Sequence, residues 1–209
     1  MLKFILIVFA AVSLAACATP AQVNAMIGTS MFELSEFSPL RRSVLVNHVS
    51  GGQKTNPLWR SEVGDPEFQQ ALQLSLAMQG ITTAAGARYS LDAVLMEVRQ
   101  PLLGFDLTVT STVRYILTEA PTKRVVFDKT ITAAYTATTD DAFNGVERLR
   151  LANEGSIRTN LSEFLDQLID ALGRGEKAII ARRAPKTAPV LLGRELFFKG
   201  KAGFCPRRA

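Results

Sequence analysis

Few residues in this chain have the types and spacing that a reaction needs. His48 is the one histidine, and it lies inside the run Ser43 to Val49, which is rich in β-branched residues. A Ser-His-Asp triad would have to be built on it, with the imidazole taking the serine proton, but no Gly-x-Ser-x-Gly accompanies it. A hydrolase or acyltransferase dependent on His48 is the catalytic alternative; a structural or surface strand histidine is the simpler reading. A metal site would have to be assembled from that histidine, a free cysteine and scattered carboxylates, a poor match to zinc ligand sets, so neither a metal nor a cofactor is expected. Asp140-Asp141 forms a carboxylate pair, but it precedes a helical pattern, where capping and the helix dipole account for it. Glu147 and Glu154 lie two turns apart on one side of that helix and are better placed to pair with arginines than to exchange protons. Gly51-Gly52 with Lys54-Thr55 lacks Walker spacing. No reaction is legible, and the chain is read as a non-enzyme.

The residue with the clearest chemistry is Cys17. Met1-Leu2-Lys3 gives a small positive start, Phe4 to Leu14 is apolar apart from Ser13, and Ala15 and Ala16 are small. Residues 1–16 read as a secretory signal peptide, and Leu14-Ala15-Ala16-Cys17 resembles the lipobox of bacterial lipoproteins. The resemblance implies a diacylglycerol on the Cys17 thiol, cleavage before it, and acylation of the new amino group, with fatty acids such as palmitate. An ordinary cleaved signal with a chance cysteine and an N-terminal membrane helix are the alternatives; the second needs about 20 apolar residues, more than this run supplies. Several acyl chains anchor firmly, since each buried CH₂ contributes about 0.8 kcal/mol. Ala18 follows the cysteine; it is not the aspartate that commonly marks inner-membrane retention, so the resemblance favours the periplasmic leaflet of the outer membrane. Residues 17–42, with Pro20 and Pro39 and no sustained period, read as a lipidated tether holding one helical turn around Val23–Ile27. With Cys17 acylated, Cys205 has no partner in the chain, and the fold does not depend on a disulfide.

The net charge of +5 hides an asymmetry. Residues 174–209 carry ten Lys and Arg against Glu176 and Glu195, net +8, whereas residues 18–173 are net −4. The basic tail can meet anionic lipid or lipopolysaccharide phosphates, or be a solvated end. No nucleic-acid partner is expected.

The elements that must position these residues are read from periodicity. Ser43–Val49 is a strand, closed by Ser50-Gly51-Gly52. Asp65 and Pro66 open a helix to about Gln79, with Phe68, Ala71, Leu72, Ser75 and Leu76 on one stripe, widened by Leu74 and Met78, and Gly80 as the stop. Tyr89–Arg99 is a strand whose buried parity changes partway, the mark of a bulge or of two partly buried faces. Asp106–Thr118 alternates cleanly, and Arg124–Thr138 follows it after a five-residue turn, an antiparallel hairpin. A long helix over about Asp141–Leu172 carries Val146, Leu149, Ile157, Leu161, Phe164, Leu165, Leu168 and Leu172 at three- and four-residue steps, with Arg150–Glu154 and Glu154–Arg158 as surface ion pairs. The fold class is therefore α+β: a two-layer α/β sandwich over residues 43–173, β-α-β-β-β-α, with two helices on one face of a mostly antiparallel four-stranded sheet.

Two surfaces can bind a partner. The strand face opposite the helices carries Thr108, Thr110, Thr112, Thr130, Thr132 and Thr136, and a solvated sheet is its ordinary reading. The loop Gly51–Arg60 holds Lys54, Asn56, Trp59 and Arg60 together, and an exposed Trp beside Arg suits a contact hot spot, although a Trp plugging the sheet edge is as good a reading. Partner-binding candidates are thus Lys54, Trp59, Arg60, Thr110 and Thr132. The lipobox, the element order, the stretch Gly51 to Trp59, and Arg148-Leu149-Arg150-Leu151-Ala152-Asn153-Glu154 with Asn160 resemble small envelope lipoproteins of the YajG and LptE-like kind. That resemblance implies a non-catalytic outer-membrane lipoprotein acting in envelope assembly, with an outer-membrane β-barrel or a glycolipid as partner, as in lipopolysaccharide assembly. An auxiliary lipoprotein of a lipid or solute transport system, bound to a transporter component, is the alternative.

Overall fold

The computed structural model describes residues 18–56, 61–101 and 104–173. Cys17, Trp59, Arg60, the signal segment and the basic tail lie outside the described residues. The elements are α1 (Val23–Met26), β1 (Val44–Ser50), α2 (Asp65–Met78), β2 (Tyr89–Arg99), β3 (Leu107–Glu119), β4 (Val125–Ala137) and α3 (Gly145–Leu168), the last running into a π-helical turn, Ile169–Gly173.

The sheet has the order β1-β2-β3-β4. β1 and β2 are parallel and the other pairs antiparallel. The parallel pair needs a crossover, and α2 supplies it. On β3 the alternation is carried into burial: Leu107, Val109, Ser111, Val113, Tyr115 and Leu117 turn inward. The parity change in β2 is a bulge, with the register slipping between Leu95 and Glu97, so Met96 becomes exposed. Phe68, Leu72 and Leu76 of α2 and Ile157, Leu161, Phe164 and Leu165 of α3 pack on the inward sheet residues. The ring of Phe164 stacks on Tyr115 at 3.9 Å between centroids. This is the expected α+β architecture, with a mixed four-stranded sheet.

Several details differ from the sequence reading. Leu74 and Met78 face solvent instead of widening the α2 stripe. The long helix begins later than Asp141: Asn144 is its cap, its side chain accepting from the Val146 N–H at 2.9 Å. Asp141 instead closes the preceding turn, accepting from the Thr138 N–H at 2.7 Å. A short acceptor side chain can satisfy either a turn or a helix end, and here the asparagine took the helix.

The larger correction concerns residues 17–42. Residues 18–40 do not hang free as a tether but form part of the body. Ala21, Met26 and Leu40 are buried in the main core. α1 rests on both α2 and α3, and the chain beyond it runs along α3. The Gly28 N–H donates to Ser75 Oγ of α2, and the Thr29 and Met31 N–H groups donate to Ser162 Oγ and Asp166 Oδ1 of α3. Apolar residues without a period still bury when each one drops into a groove between two helices, and periodicity is blind to that.

Gly28 marks the closest approach. A Cβ there would come within 2.6 Å of both Leu161 Cβ and the Ser162 backbone nitrogen. Gly28→Ala is expected to destabilise the protein by about 1–3 kcal/mol, the usual range for overpacking. Chemical denaturation of the two proteins measures it; an unchanged midpoint would show that the segment lifts off α3 at no cost.

Candidate functional site

The residues singled out from sequence do not converge on one site. Lys54 is exposed and lines a shallow cleft of about 380 Å³ at the N-terminal end of α2, with Pro20, Gly52, Gly64, Asp65 and Glu67. Asp65 is already engaged, accepting from the Gly52 N–H at 2.6 Å. One lysine among two carboxylates makes a weak cradle for an anion. Thr110 and Thr132 lie on the opposite side of the molecule, on the sheet face that no helix covers among the described residues. Thr132 shares its hydroxyl with Thr112 at 3.1 Å, as Thr108 does with Thr136 at 2.8 Å. Arg114 and Asp128 extend the ladder with a two-bond ion pair, which holds the Asp128 carboxyl below the usual range. The open face thus carries cross-strand polar pairs that satisfy one another.

His48 is exposed on the edge strand β1, opposite Asp92. That carboxylate accepts instead from Asn47 Nδ2 at 2.8 Å. Among the described residues no group of three or more His, Cys, Asp or Glu is arranged to hold a metal ion.

What the sequence reading missed is a buried polar system on α3. Arg150 and Glu154 are 8% and 1% exposed, and Arg150 Nη1 donates to Glu154 Oε1 at 2.6 Å. They were expected as a surface pair. Arg150 also grips Glu147. Glu154 Oε1 takes a second bond, from the Gln22 N–H at 2.7 Å. Burial raises the Glu154 carboxyl above its ordinary range, opposed by the Gln22 N–H and Arg150. Arg158, expected to pair with Glu154, turns away to the Ala25 carbonyl at 2.9 Å and to the face of Tyr135. Both changes have one cause: residues 18–31 cover the outer side of α3, so its expected solvent face is interior.

Toward the sheet, Asn160 donates to the carbonyls of Ser111 and Ile131 and accepts from the Tyr115 hydroxyl at 2.8 Å. Ser156 donates to the Ala133 carbonyl. Asn153 donates to the Ser61 carbonyl at 2.8 Å and accepts from Gln100, which ties the loop before α2 to the end of β2. A signal for this existed: Asn153, Ser156 and Asn160 recur at the same three- and four-residue steps as Ile157, Leu161 and Phe164. Polar residues inside an apolar stripe are buried staples. The stretch Arg148 to Glu154 with Asn160 is therefore structural in use.

No protein-family model matches the chain, and no curated protein matches it in sequence. Solved structures do. The fold is similar to that of a Xanthomonas campestris protein of family DUF330, with a TM-score of 0.52 and 12% identity, over 78% of this chain and 99% of that one. Lower similarity is found to a putative lipoprotein from Caulobacter crescentus (TM-score 0.40, 14% identity, 52% and 82% coverage). A minor lipoprotein from Acinetobacter baumannii gives a TM-score of 0.39 at 18% identity, over 72% of this chain and all of the other. At such identities the likeness shows the fold alone. The finer resemblance to the YajG and LptE-like kind finds no support among these three.

The raised carboxyl makes a sign-definite prediction. A carboxyl whose folded pKa exceeds its unfolded value stabilises the fold fully at low pH, and that contribution is lost as pH rises through the folded pKa. Glu154→Gln removes it. The difference in urea midpoint between the two proteins should therefore move in favour of the glutamine protein as pH rises from the ordinary carboxylate range through the raised pKa of Glu154. A constant difference would show that the Glu154 carboxyl titrates alike in the folded and unfolded chains. Glu119, Asp128, Asp141 and Glu147, all held low, lose their contributions at more acid pH in both proteins.

Proposed function

We propose that this protein is a bacterial lipoprotein, acylated on Cys17 and anchored in the periplasmic leaflet of the outer membrane. It works without catalysis, holding a protein partner or a glycolipid on the open face of its sheet during envelope assembly or maintenance. The observation that supports this most is the one-sidedness of the fold. Among the described residues the helices and the N-terminal segment all pack on one face, while β3 and β4, 13 residues each, leave the threonine ladder on the other uncovered. Strands of that length run about 43 Å at 3.3 Å per residue, room for an extended contact. Met96, 59% exposed at the bulge, adds an apolar anchor to that side. The buried carboxylate of α3 is neutralised by Arg150 and a backbone N–H and so serves packing more readily than proton transfer. Lys54, with Trp59 and Arg60, is a second candidate contact, on the loop before α2.

The test is a mild crosslink in intact envelopes, followed by purification and mass spectrometry, for the native protein and for Thr110→Lys/Thr132→Lys. The native protein is expected to bring down a partner, and the doubly charged face to lose at least about nine-tenths of it, since a misplaced charge at an interface costs more than the 1.4 kcal/mol that a tenfold change requires. An outer-membrane barrel among the captured proteins assigns the assembly role; an inner-membrane transporter component assigns the auxiliary one. Equal capture by both forms overturns this face as the contact. Cys17→Ser is expected to release the protein from membranes, and its retention there would overturn the anchor.

A further inference from the structure

The strand directions fix which loops share an end of the molecule. β1, β2 and β4 finish at the end where β3, α2 and α3 begin. The loops at this end are 51–64, 100–106 and 138–144. Two of them display aromatic rings to solvent: Phe105 is 85% exposed and Phe143 97% exposed. Phe143 is not on a loose tip. Arg148, itself buried, donates to the backbone carbonyls of Ala142 and Phe143 at 2.7 and 3.2 Å, so the loop backbone is held while the ring projects. A rigid loop that presents a phenylalanine to water exposes a large apolar surface for no internal gain.

The chain enters the domain at the same end. Pro20 lines the cleft with Gly52, Lys54, Gly64 and Asp65 beside the α2 N-terminus. Ala18 is buried, the Thr19 carbonyl accepts from Ser61 Oγ, and the Ala21 N–H donates to the Glu62 carbonyl. No slack separates Cys17 from this surface, since consecutive Cα atoms lie about 3.8 Å apart. We infer that the end of the sheet bearing Phe105 and Phe143 rests on the lipid bilayer, the two rings entering the boundary between headgroups and acyl chains beside the anchor. This rests on the reading of Cys17 as acylated.

The opposite end also exposes apolar residues, Met31, Phe37 and Met78. The anchor excludes it from the bilayer. Residues 22–31 are bonded along α3 from Glu154 to Asp166, running away from the entry point, and α3 is about 36 Å long at 1.5 Å per residue. Asp106, Asp140 and Asp141 stand exposed near the two rings. The contact is therefore apolar and shallow, suited to zwitterionic lipid and insensitive to salt.

The test uses the mature acylated protein, purified from membranes with Cys205→Ser and reconstituted in vesicles of phosphatidylethanolamine and phosphatidylcholine. An environment-sensitive fluorophore is placed in turn at Phe105→Cys, Phe143→Cys and, as the control, Phe37→Cys. Labels at 105 and 143 are expected to shift to the blue and to be quenched by nitroxides carried on the lipid, with the shift unchanged in high salt, while the label at 37 behaves as in water. Acylated protein whose labels at 105 and 143 match the one at 37 overturns the inference and leaves the anchor standing. Intact mass without acyl groups on Cys17 overturns the anchor, and with it the argument for this end. Blue shift at position 37 alone would turn the molecule over.

Discussion

The structure depends on residues 18–31 lying across α3. A helix on the outside of a two-layer sandwich ordinarily keeps one face in water. Here the segment covers that face, which makes Arg150 and Glu154 interior groups. Two charges inside a protein are tolerated only when each finds partners. Glu154 has Arg150 and the Gln22 N–H; Arg150 has Glu154 and the half-exposed Glu147. The pair thus ties three pieces together: α3, the N-terminal segment and, through neighbouring Asn153, the loop ahead of α2. A buried ion pair adds little net stability over an apolar isostere, but it penalises every arrangement that leaves one member alone. That selectivity suits a segment with no periodic apolar face to define its place.

The same helix is fastened to the sheet by small and polar groups. Gly155 lets α3 approach Tyr135 so closely that a Cβ would lie 2.2 Å from the ring. Asn160 bonds carbonyls of two adjacent strands and orients the fully buried Tyr115, which in turn stacks on Phe164. These contacts set the height and register of α3, and the apolar residues around them supply the bulk of the burial. With the helices of the described residues on one side, the other side of the sheet carries threonine pairs and an ion pair. Its cross-strand bonds satisfy the polar groups on that side.

A domain joined to its anchor without slack has a fixed attitude, whereas a domain on a flexible linker samples many. On the proposed acylation of Cys17, the docking of residues 18–31 would turn an anchor at one residue into an orientation for the whole sheet. In that arrangement the open face would stand along the membrane normal rather than against it, because strands that finish at the anchored end run away from that surface.

Sequence alone determined the element order, the clean alternation on β3, the hairpin to β4, the parity change in β2 and the helix between the first two strands. Each is a local pattern, with period 2 or 3.6 and turn residues at its ends, and local patterns are written in consecutive residues. The lipobox resemblance belongs with them, since it is carried by four adjacent residues. Tertiary structure alone decided that the parity change in β2 is a bulge and that the first two strands are parallel. It alone decided that residues 18–40 belong to the body, that Arg150 and Glu154 are interior, that Arg158 turns to Ala25 and Tyr135, and that Asn144 rather than Asp141 caps α3. It alone separated Lys54 from Thr110 and Thr132, and gathered Phe105 and Phe143 at the end where the chain enters. The physical reason is common to all of these. Burial, pairing and shared ends are properties of surfaces that meet only after the chain has folded, between residues more than a hundred positions apart in the case of Gln22 and Glu154.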